Sequence, residues 1–285
     1  MAPFFANRKE PTEMKKNDST PRIAARREAM GGLAKGLEVI RAFTHDSPSL
    51  TLTEIANRAG LPPATARRCL LTLAECGYVM QSGRNFLLRP KVLELGAAYL
   101  DSMNIEVLTK TYLEDLASQT GDSAALTVLD RTDIVYVARA SVRTLVRLEA
   151  HVGSRFPAYP TSMGRVLLAG LSPQRLDQYF EEAEINALTE RTVTDRAKLR
   201  ALIDECRRVG YSAVEDELAY GVVAVAVPVF DKTRLVVAAL NSSSHSKKMT
   251  RARLIKERVP LLQTISAQMS RELQRVPGLS LSAQT

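Results

Sequence analysis

The stretch TLTEIANRAGLPPATARRCLLTLAECGYV, residues 51–79, decides how the first third of the chain folds. It reads as two short helices joined by a tight turn and followed by a strand. Thr51 is an N-cap, and Glu54 three residues on completes a capping box. Leu52, Ile55 and Ala56 give the first helix an apolar face, and Ala59-Gly60 ends it, since glycine accepts the left-handed conformation at a helix C-terminus. Pro62-Pro63 restarts a helix, because a first turn has no hydrogen bond for proline to break. Ala66, Cys69, Leu70 and Leu73 then recur at i, i+3, i+4 and i+7 as its buried stripe.

On the wheel of the second helix Ala64 and Arg68 face away from that stripe, with Thr65, Arg67 and Thr72 on the flanks. Small residues beside paired arginines suit a helix laid in a DNA major groove, where arginine bonds a guanine edge twice. A helical hairpin with a solvated basic face is the alternative from these residues alone. The next segment favours DNA. Tyr78–Gln81 and Phe86–Leu88 read as a hairpin around Ser82-Gly83-Arg84-Asn85, whose glycine and asparagine suit positive φ. Leu33, Leu37, Val39, Ile40 and Phe43 supply a helix behind the pair. The expected module is a winged helix–turn–helix.

Outward from this module, 285 residues leave room for a second domain, and 45% hydrophobic with 25% charged residues is the balance of a soluble globular protein. No apolar run approaches the ~18 residues of a membrane span, and the start lacks a signal-peptide core, so the expected location is the cytoplasm. The net charge of +8 is unevenly spread: residues 1–90 hold 14 Lys/Arg against 8 Asp/Glu, residues 91–244 hold 17 against 21, and residues 245–285 hold 8 against 2. A basic head on a mildly acidic middle fits phosphate binding at one end.

Residues 1–30 are polar and aperiodic and read as a flexible arm, and 277–285 as a tail. Residues 31–90 form the winged module. A linker helix, 91–103, starts after Pro90; Val92, Leu93, Leu95, Gly96, Tyr99 and Leu100 give it an apolar surface wide enough to meet a partner subunit. Residues 104–276 alternate helix and strand. Helices are expected at Ile105–Ala117, Thr161–Leu171, Ala197–Val209 and Arg251–Gln274. Strands are expected at Ala124–Leu129, Ile134–Ala140, Thr144–Ala150, Tyr211–Glu215, Val222–Phe230 and Leu235–Asn241. Strands linked as hairpins make an α+β domain with a mainly antiparallel sheet.

Chemistry is sparse. His45, His151 and His245 are isolated, and no zinc or nucleophile-elbow motif occurs. Cys69, Cys76 and Cys206 lack metal-ligand spacing, and Gly31–Gly36 has the glycine spacing of a phosphate loop but Leu37 where its lysine belongs. No catalytic residue, metal or cofactor is expected. Gly153, Pro157, Pro160 and Gly164 shape a loop, and Thr161-Ser162-Met163-Gly164 opens a helix whose free N–H groups favour an anion, with Arg155 close by. Turn geometry and an ordinary N-cap explain the same residues without a ligand.

The chain resembles the IclR-type bacterial transcriptional regulators. The resemblance is carried by GGLAKGLEVIRAF from Gly31, LTEIANRAGLP from Leu52, ATARRCLLTLAECGYV from Ala64 and KVLELGAAYL from Lys91. It continues in VGSRFPAYPTSMGRVLLA from Val152 and GYSAVEDELAYGVVAVAVPVFD from Gly210. It implies an N-terminal winged helix–turn–helix and a GAF-like C-terminal domain that binds a small effector. DNA-facing residues would be Pro63, Ala64, Thr65, Arg67, Arg68 and Thr72 on the recognition helix, with Arg84 and Asn85 in the hairpin. Effector contacts would come from Arg155, Tyr159, Ser162, Met163 and Gly164 and, across the sheet, from Glu215, Glu217, Ala224, Ala226 and Ser242.

Implied partners are double-stranded operator DNA, a small carboxylic acid, further copies of the chain as homodimer or homotetramer, and RNA polymerase, but no membrane. TSMGRVLLA and GYSAVEDEL look most like the Pca/Pob branch, which controls breakdown of aromatic acids through protocatechuate, catechol and β-ketoadipate. LNSSSHS after the last strand, and Val223-Ala224, depart from the family and leave the effector open. A GAF-like enzyme with an ancillary DNA-binding domain is the rival reading.

Overall fold

The computed structural model describes residues 30–103, 105–141 and 150–273. The expected arm, the tail and the strand expected at Thr144–Ala150 lie essentially outside these residues. The chain divides into two compact units, one ending at Leu93 and the other beginning at Glu94.

In the first unit, α1 (Gly31–Arg41) leads into a short strand β1 (Ser49–Thr51), α2 (Leu52–Arg58) and α3 (Pro63–Glu75). The capping box at the mouth of α2 forms in full, with Thr51 N–H donating to Glu54 Oε2 at 2.8 Å and Glu54 N–H to Thr51 Oγ1 at 3.4 Å. Strands β2 (Val79–Ser82) and β3 (Asn85–Leu88) make the hairpin, and β1 pairs with β3 to give a sheet of order β1-β3-β2. Val39, Leu50, Ile55, Leu70, Val79 and Phe86 form the core under the helices.

Three expectations change here. Leu33 and Leu37 are exposed at 63% and 46%, since each sits off the face of α1 on which Val39 is buried; six and two residues amount to ~240° and ~200° around the helix. Asn85 does not take positive φ. The turn shortens to Gly83-Arg84, with φ +61° at Gly83, and Asn85 pairs with Ser82 in the ladder. The third strand, β1, was not expected from the sequence.

A 3-10 turn at Pro90–Val92 precedes α4 (Leu93–Met103), on which Leu93, Leu95 and Tyr99 are 74%, 49% and 39% exposed. The second unit continues with α5 (Ile105–Thr120), β4 (Ser123–Asp130), β5 (Asp133–Ala140) and β6 (Arg155–Pro157). Next come α6 (Ser162–Ala169), α7 (Pro173–Glu182), α8 (Arg196–Val209), β7 (Ser212–Glu215), β8 (Val222–Phe230), β9 (Val236–His245) and α9 (Arg251–Leu273). The six strands form one antiparallel sheet of order β6-β5-β4-β9-β8-β7.

Side-chain alternation along the strands builds a core on each face. Val223, Val225, Val227 and Val229 point to one face and meet Leu113 and Leu116 of α5 and Leu254 and Leu262 of α9. Ala125, Tyr136, Ala226 and Ala239 point to the other, under Val166 and Leu168 of α6, Phe180 of α7 and Ile203 of α8. Helix α7 was not foreseen, although Ser172-Pro173 is a start signal; the Ser172 hydroxyl caps Arg175 N–H. Strand β6 was missed because Arg155–Pro157 is too short to show a period. No helix among the described residues is long and apolar enough to cross a membrane.

Candidate functional sites

The first unit presents α3 and the β2–β3 hairpin. Ala66 and Leu70 are buried, which turns Pro63, Ala64, Arg67, Arg68 and Thr72 outward, with Thr65 half-buried beside them. Arg67, Arg68 and Arg84 are exposed, and their side chains make no hydrogen bond or ion pair among the described residues. Thr72 donates back to the Arg68 carbonyl at 3.2 Å, and Gln81 Nε2 donates to Gly83 O at 2.9 Å, holding the turn that presents Arg84. Asn85 is occupied otherwise: its Nδ2 donates to Ser49 Oγ at 3.0 Å, fastening β1 to β3.

The second unit holds a cavity of about 440 Å³ between the sheet and the start of α6. Its floor comes from same-face strand residues: Ala125 on β4, Asn241 and Ser243 on β9, Ala224 on β8 and Val214 on β7. Pro160, Thr161, Ser162 and Met163 form the roof, and Leu218, Ala219 and Tyr220 of the loop after β7 form a side wall. Arg139, His245, Lys247 and Lys248 bring basic groups to it. Arg139 reaches it through a β-bulge. The β4–β5 register shifts between Leu126 and Thr127, so Val137 and Ala138 both face the α5–α9 core and Arg139 returns to the cavity face.

At the roof, Thr161 Oγ1 accepts from Gly164 N–H at 2.9 Å. The amides of Ser162 and Met163, in the first turn of α6, have no intrahelical acceptor and so offer partial positive charge. Two buried side-chain oxygens at the cavity, Ser162 Oγ and Asn241 Oδ1, have no hydrogen-bond partner. Burial holds the Tyr136 phenol at the cavity up at about 12, so it stays a neutral O–H. Lys247 N–H donates to His245 Nδ1 at 3.0 Å, which leaves the proton of a neutral His245 on Nε2.

Of the expected effector residues, the structure brings Ser162, Met163 and Ala224 to this cavity and sends the others elsewhere. Arg155 lies on edge strand β6 and is taken by the β4–β5 hairpin, at 2.6 Å from Asp130 and 3.2 Å from Asp133. Tyr159 is buried, its hydroxyl bonded to Asn186 O at 2.5 Å and accepting from Asn186 N–H at 3.1 Å. Gly164 serves packing, since a Cβ there would lie 2.0 Å from the Ala158 carbonyl oxygen. Ala226 lies under α6 in the core.

Glu215 and Ser242 fail by strand parity. Their neighbours Val214, Asn241 and Ser243 face the cavity, so these two face α9, where Ser242 Oγ donates to Asp122 Oδ2 at 3.0 Å. Glu217 is neutralised in a buried bidentate pair with Arg165, at 2.8 and 2.5 Å. Arg165 was absent from the expected set. An arginine beside the apolar Val166–Leu168 was its sequence signal, because a buried charge demands a partner. Lys247 and Lys248 were also missed, and their adjacent pair was legible.

Models of known families match both units of the chain. The model of the IclR helix-turn-helix domain matches residues 32–83, and that of the bacterial transcriptional regulator IclR C-terminal domain matches residues 97–271. The chain belongs to the IclR family of bacterial transcriptional regulators. It is 40% identical over 245 residues to the Pca regulon regulatory protein of Pseudomonas putida, covering 86% of this chain and 84% of that protein. It is 33% identical over 245 residues to the p-hydroxybenzoate hydroxylase transcriptional activator of Acinetobacter baylyi, covering 84% and 90%. A crystal structure of a transcriptional regulator from Rhodococcus sp. RHA1 superposes with TM-score 0.77 at 40% identity, over 86% of this chain and 98% of that one. The relatives place this family member in the Pca/Pob branch: a DNA-binding regulator with a helix–turn–helix and a domain for a small effector.

Proposed function

We propose that this IclR regulator senses an aromatic or short dicarboxylic acid and controls a catabolic operon accordingly. The observation that carries the effector class is the cavity of about 440 Å³, where apolar Ala125, Ala224 and Met163 lie between the amides opening α6 and the basic Arg139, Lys247 and Lys248. Such a site favours a flat or short apolar body bearing a carboxylate. The names of the Pseudomonas and Acinetobacter relatives support the catabolic role.

DNA is read by α3, with Arg68 on base edges, Arg67 and Thr72 flanking it, and Arg84 on phosphate. Pro63, Ala64 and Thr65 permit close approach. The protein acts as a homo-oligomer through the apolar face of α4. Effector and DNA bias one equilibrium of subunit arrangements, so each alters the other's affinity by the same factor.

Calorimetry with protocatechuate, 4-hydroxybenzoate, β-ketoadipate and their amides tests the effector class. The acids are expected to bind and the amides to lose most of that affinity. Equal binding of acids and amides rejects a carboxylate-reading site.

A further inference from the structure

We propose that Leu71 on α3 reads the 5-methyl group of a thymine in the major groove, roughly one to two base pairs from the base pair that Arg68 contacts. This inference rests on the DNA-reading role of α3 given above.

Leu71 is 46% exposed and joins neither the core of the first unit nor the half-buried residues packed on it. Met30, Leu33, Leu37 and Met80 are exposed in this unit too, but of these large apolar side chains only Leu71 stands on α3. Its place on the helix follows from spacing. Three residues after Arg68, four after Arg67 and seven after Ala64, it lies within about 60° of each around the axis. Ala66 and Leu70 are the residues that α3 buries. Leu71 therefore continues the outward face one turn beyond the arginines.

The chemistry of the partner follows. The major-groove edges of the bases offer acceptors, amino donors and a single kind of apolar group, the thymine methyl. A leucine side chain can neither donate nor accept. Set against N7, O6, N6 or N4 of a base, it would displace water from a polar group and replace no hydrogen bond, which costs free energy. Against the methyl, both surfaces leave water and the contact is favourable. Thymine is the base this position selects.

The neighbours of Leu71 leave that contact to it. Thr72 beside it has given its only O–H donor to the Arg68 carbonyl at 3.2 Å. Glu75, exposed one turn on, carries a charge that phosphates repel, and it ends the part of α3 suited to DNA. The face is continuous with the exposed guanidinium groups of Arg67 and Arg68, so its occupant is DNA and not the apolar surface of a second copy of the chain.

A duplex enriched from a random-sequence pool by the full-length chain supplies the probe. Each of its thymines is then replaced singly by deoxyuridine, which removes the methyl and keeps every hydrogen-bonding group. One such replacement is expected to weaken wild-type binding about fourfold, the worth of one buried methyl group. Leu71→Ala should lose as much on the thymine duplex and show no further loss on that uracil duplex. An enriched sequence whose thymines can all be replaced without loss overturns the Leu71 reading without recourse to any variant, and leaves DNA reading by α3 standing. A uracil effect that persists in Leu71→Ala overturns it as well. So does a Leu71→Ala chain that binds the duplex normally but sediments as a smaller species, which would give this face to a second copy. Failure to enrich any sequence overturns both readings.

Discussion

Arg165 on α6 and Glu217 on the loop after β7 are 52 residues apart and meet as a buried bidentate pair, at 2.8 and 2.5 Å. Arg165 Nε also donates to Tyr159 O at 3.0 Å, and Glu217 accepts from Val193 N–H at 3.2 Å. The pair thereby fastens the roof of the cavity to its side wall. Removing one partner strands a charge, so Glu217→Ala is expected to cost about 3–5 kcal/mol in urea unfolding. Replacing both partners, Arg165→Met with Glu217→Leu, should recover much of that loss. If the double variant is no more stable than the single, charge burial is not what the pair resolves.

Arg155 and the Lys247-Lys248 pair make opposite predictions. Arg155 is spent on Asp130 and Asp133 at a partly exposed edge, so Arg155→Gln should cost about 0–1 kcal/mol of stability and leave carboxylate affinity unchanged. Lys247→Gln with Lys248→Gln should weaken 4-hydroxybenzoate binding, by less as salt rises. Calorimetry at two ionic strengths checks both; a loss on Arg155→Gln would return that arginine to the site.

Readout of DNA separates Arg68 from Arg84. Loss of a bidentate base contact costs about 1–3 kcal/mol on the cognate sequence alone, which is expected for Arg68→Ala. Arg84→Ala should weaken all duplexes alike and lower the salt slope by about one. A salt titration on operator and scrambled duplexes decides, and equal losses for Arg68→Ala would assign it to phosphate.

The capping box adds a pH dependence to α2. Hydrogen bonds from Thr51 hold the Glu54 carboxyl below its ordinary value of 4.5. A folded-state pKa below the unfolded one contributes stability above the unfolded value, and that contribution is lost as pH falls through the folded one. Protection of the Ile55 and Ala56 amides from hydrogen exchange should therefore fall below about pH 4. Thr51→Ala should lower protection at neutral pH, by about 1 kcal/mol, and blunt the acid step. The Thr51 N–H still bonds Glu54 in that variant, so Glu54→Gln is the decisive change: an undiminished acid step in it excludes Glu54 as the source.

Assembly through α4 predicts that Leu93→Asp with Leu95→Asp, at its two most exposed leucines, dissociates the protein and weakens operator binding. Leu100 is a poor probe because it packs against the core of the second unit. Sedimentation of the wild type as a monomer at micromolar concentration would remove the premise.

Much of this was present in local sequence. The capping box at Thr51, the proline restart at Pro63, the stripe under Ala66 and Leu70 and the glycine turn at Gly83 each involve residues within a few positions of one another. Local sterics and helical period suffice to specify such features. The strand set of the second unit was legible for the same reason, apart from short β6; β1 in the first unit and the start signal of α7 went unnoticed.

The candidate cavity was legible only as a region. Ser162 and Met163 were placed at its edge because a helix start is a local event. Ser242 and Glu215 were misjudged because facing is a matter of strand parity, in which one residue reverses the side. Arg139 depended on a bulge at Val137, and bulges follow from packing against both faces of the sheet. Arg155 and Glu217 were charged residues in the right region of sequence but found their partners in Asp130, Asp133 and Arg165, brought close only by the sheet register and the packing of α6. By itself the sequence determined which elements form and which family they compose. Tertiary structure decided which charges were already paired, and so which polar groups were left for a ligand.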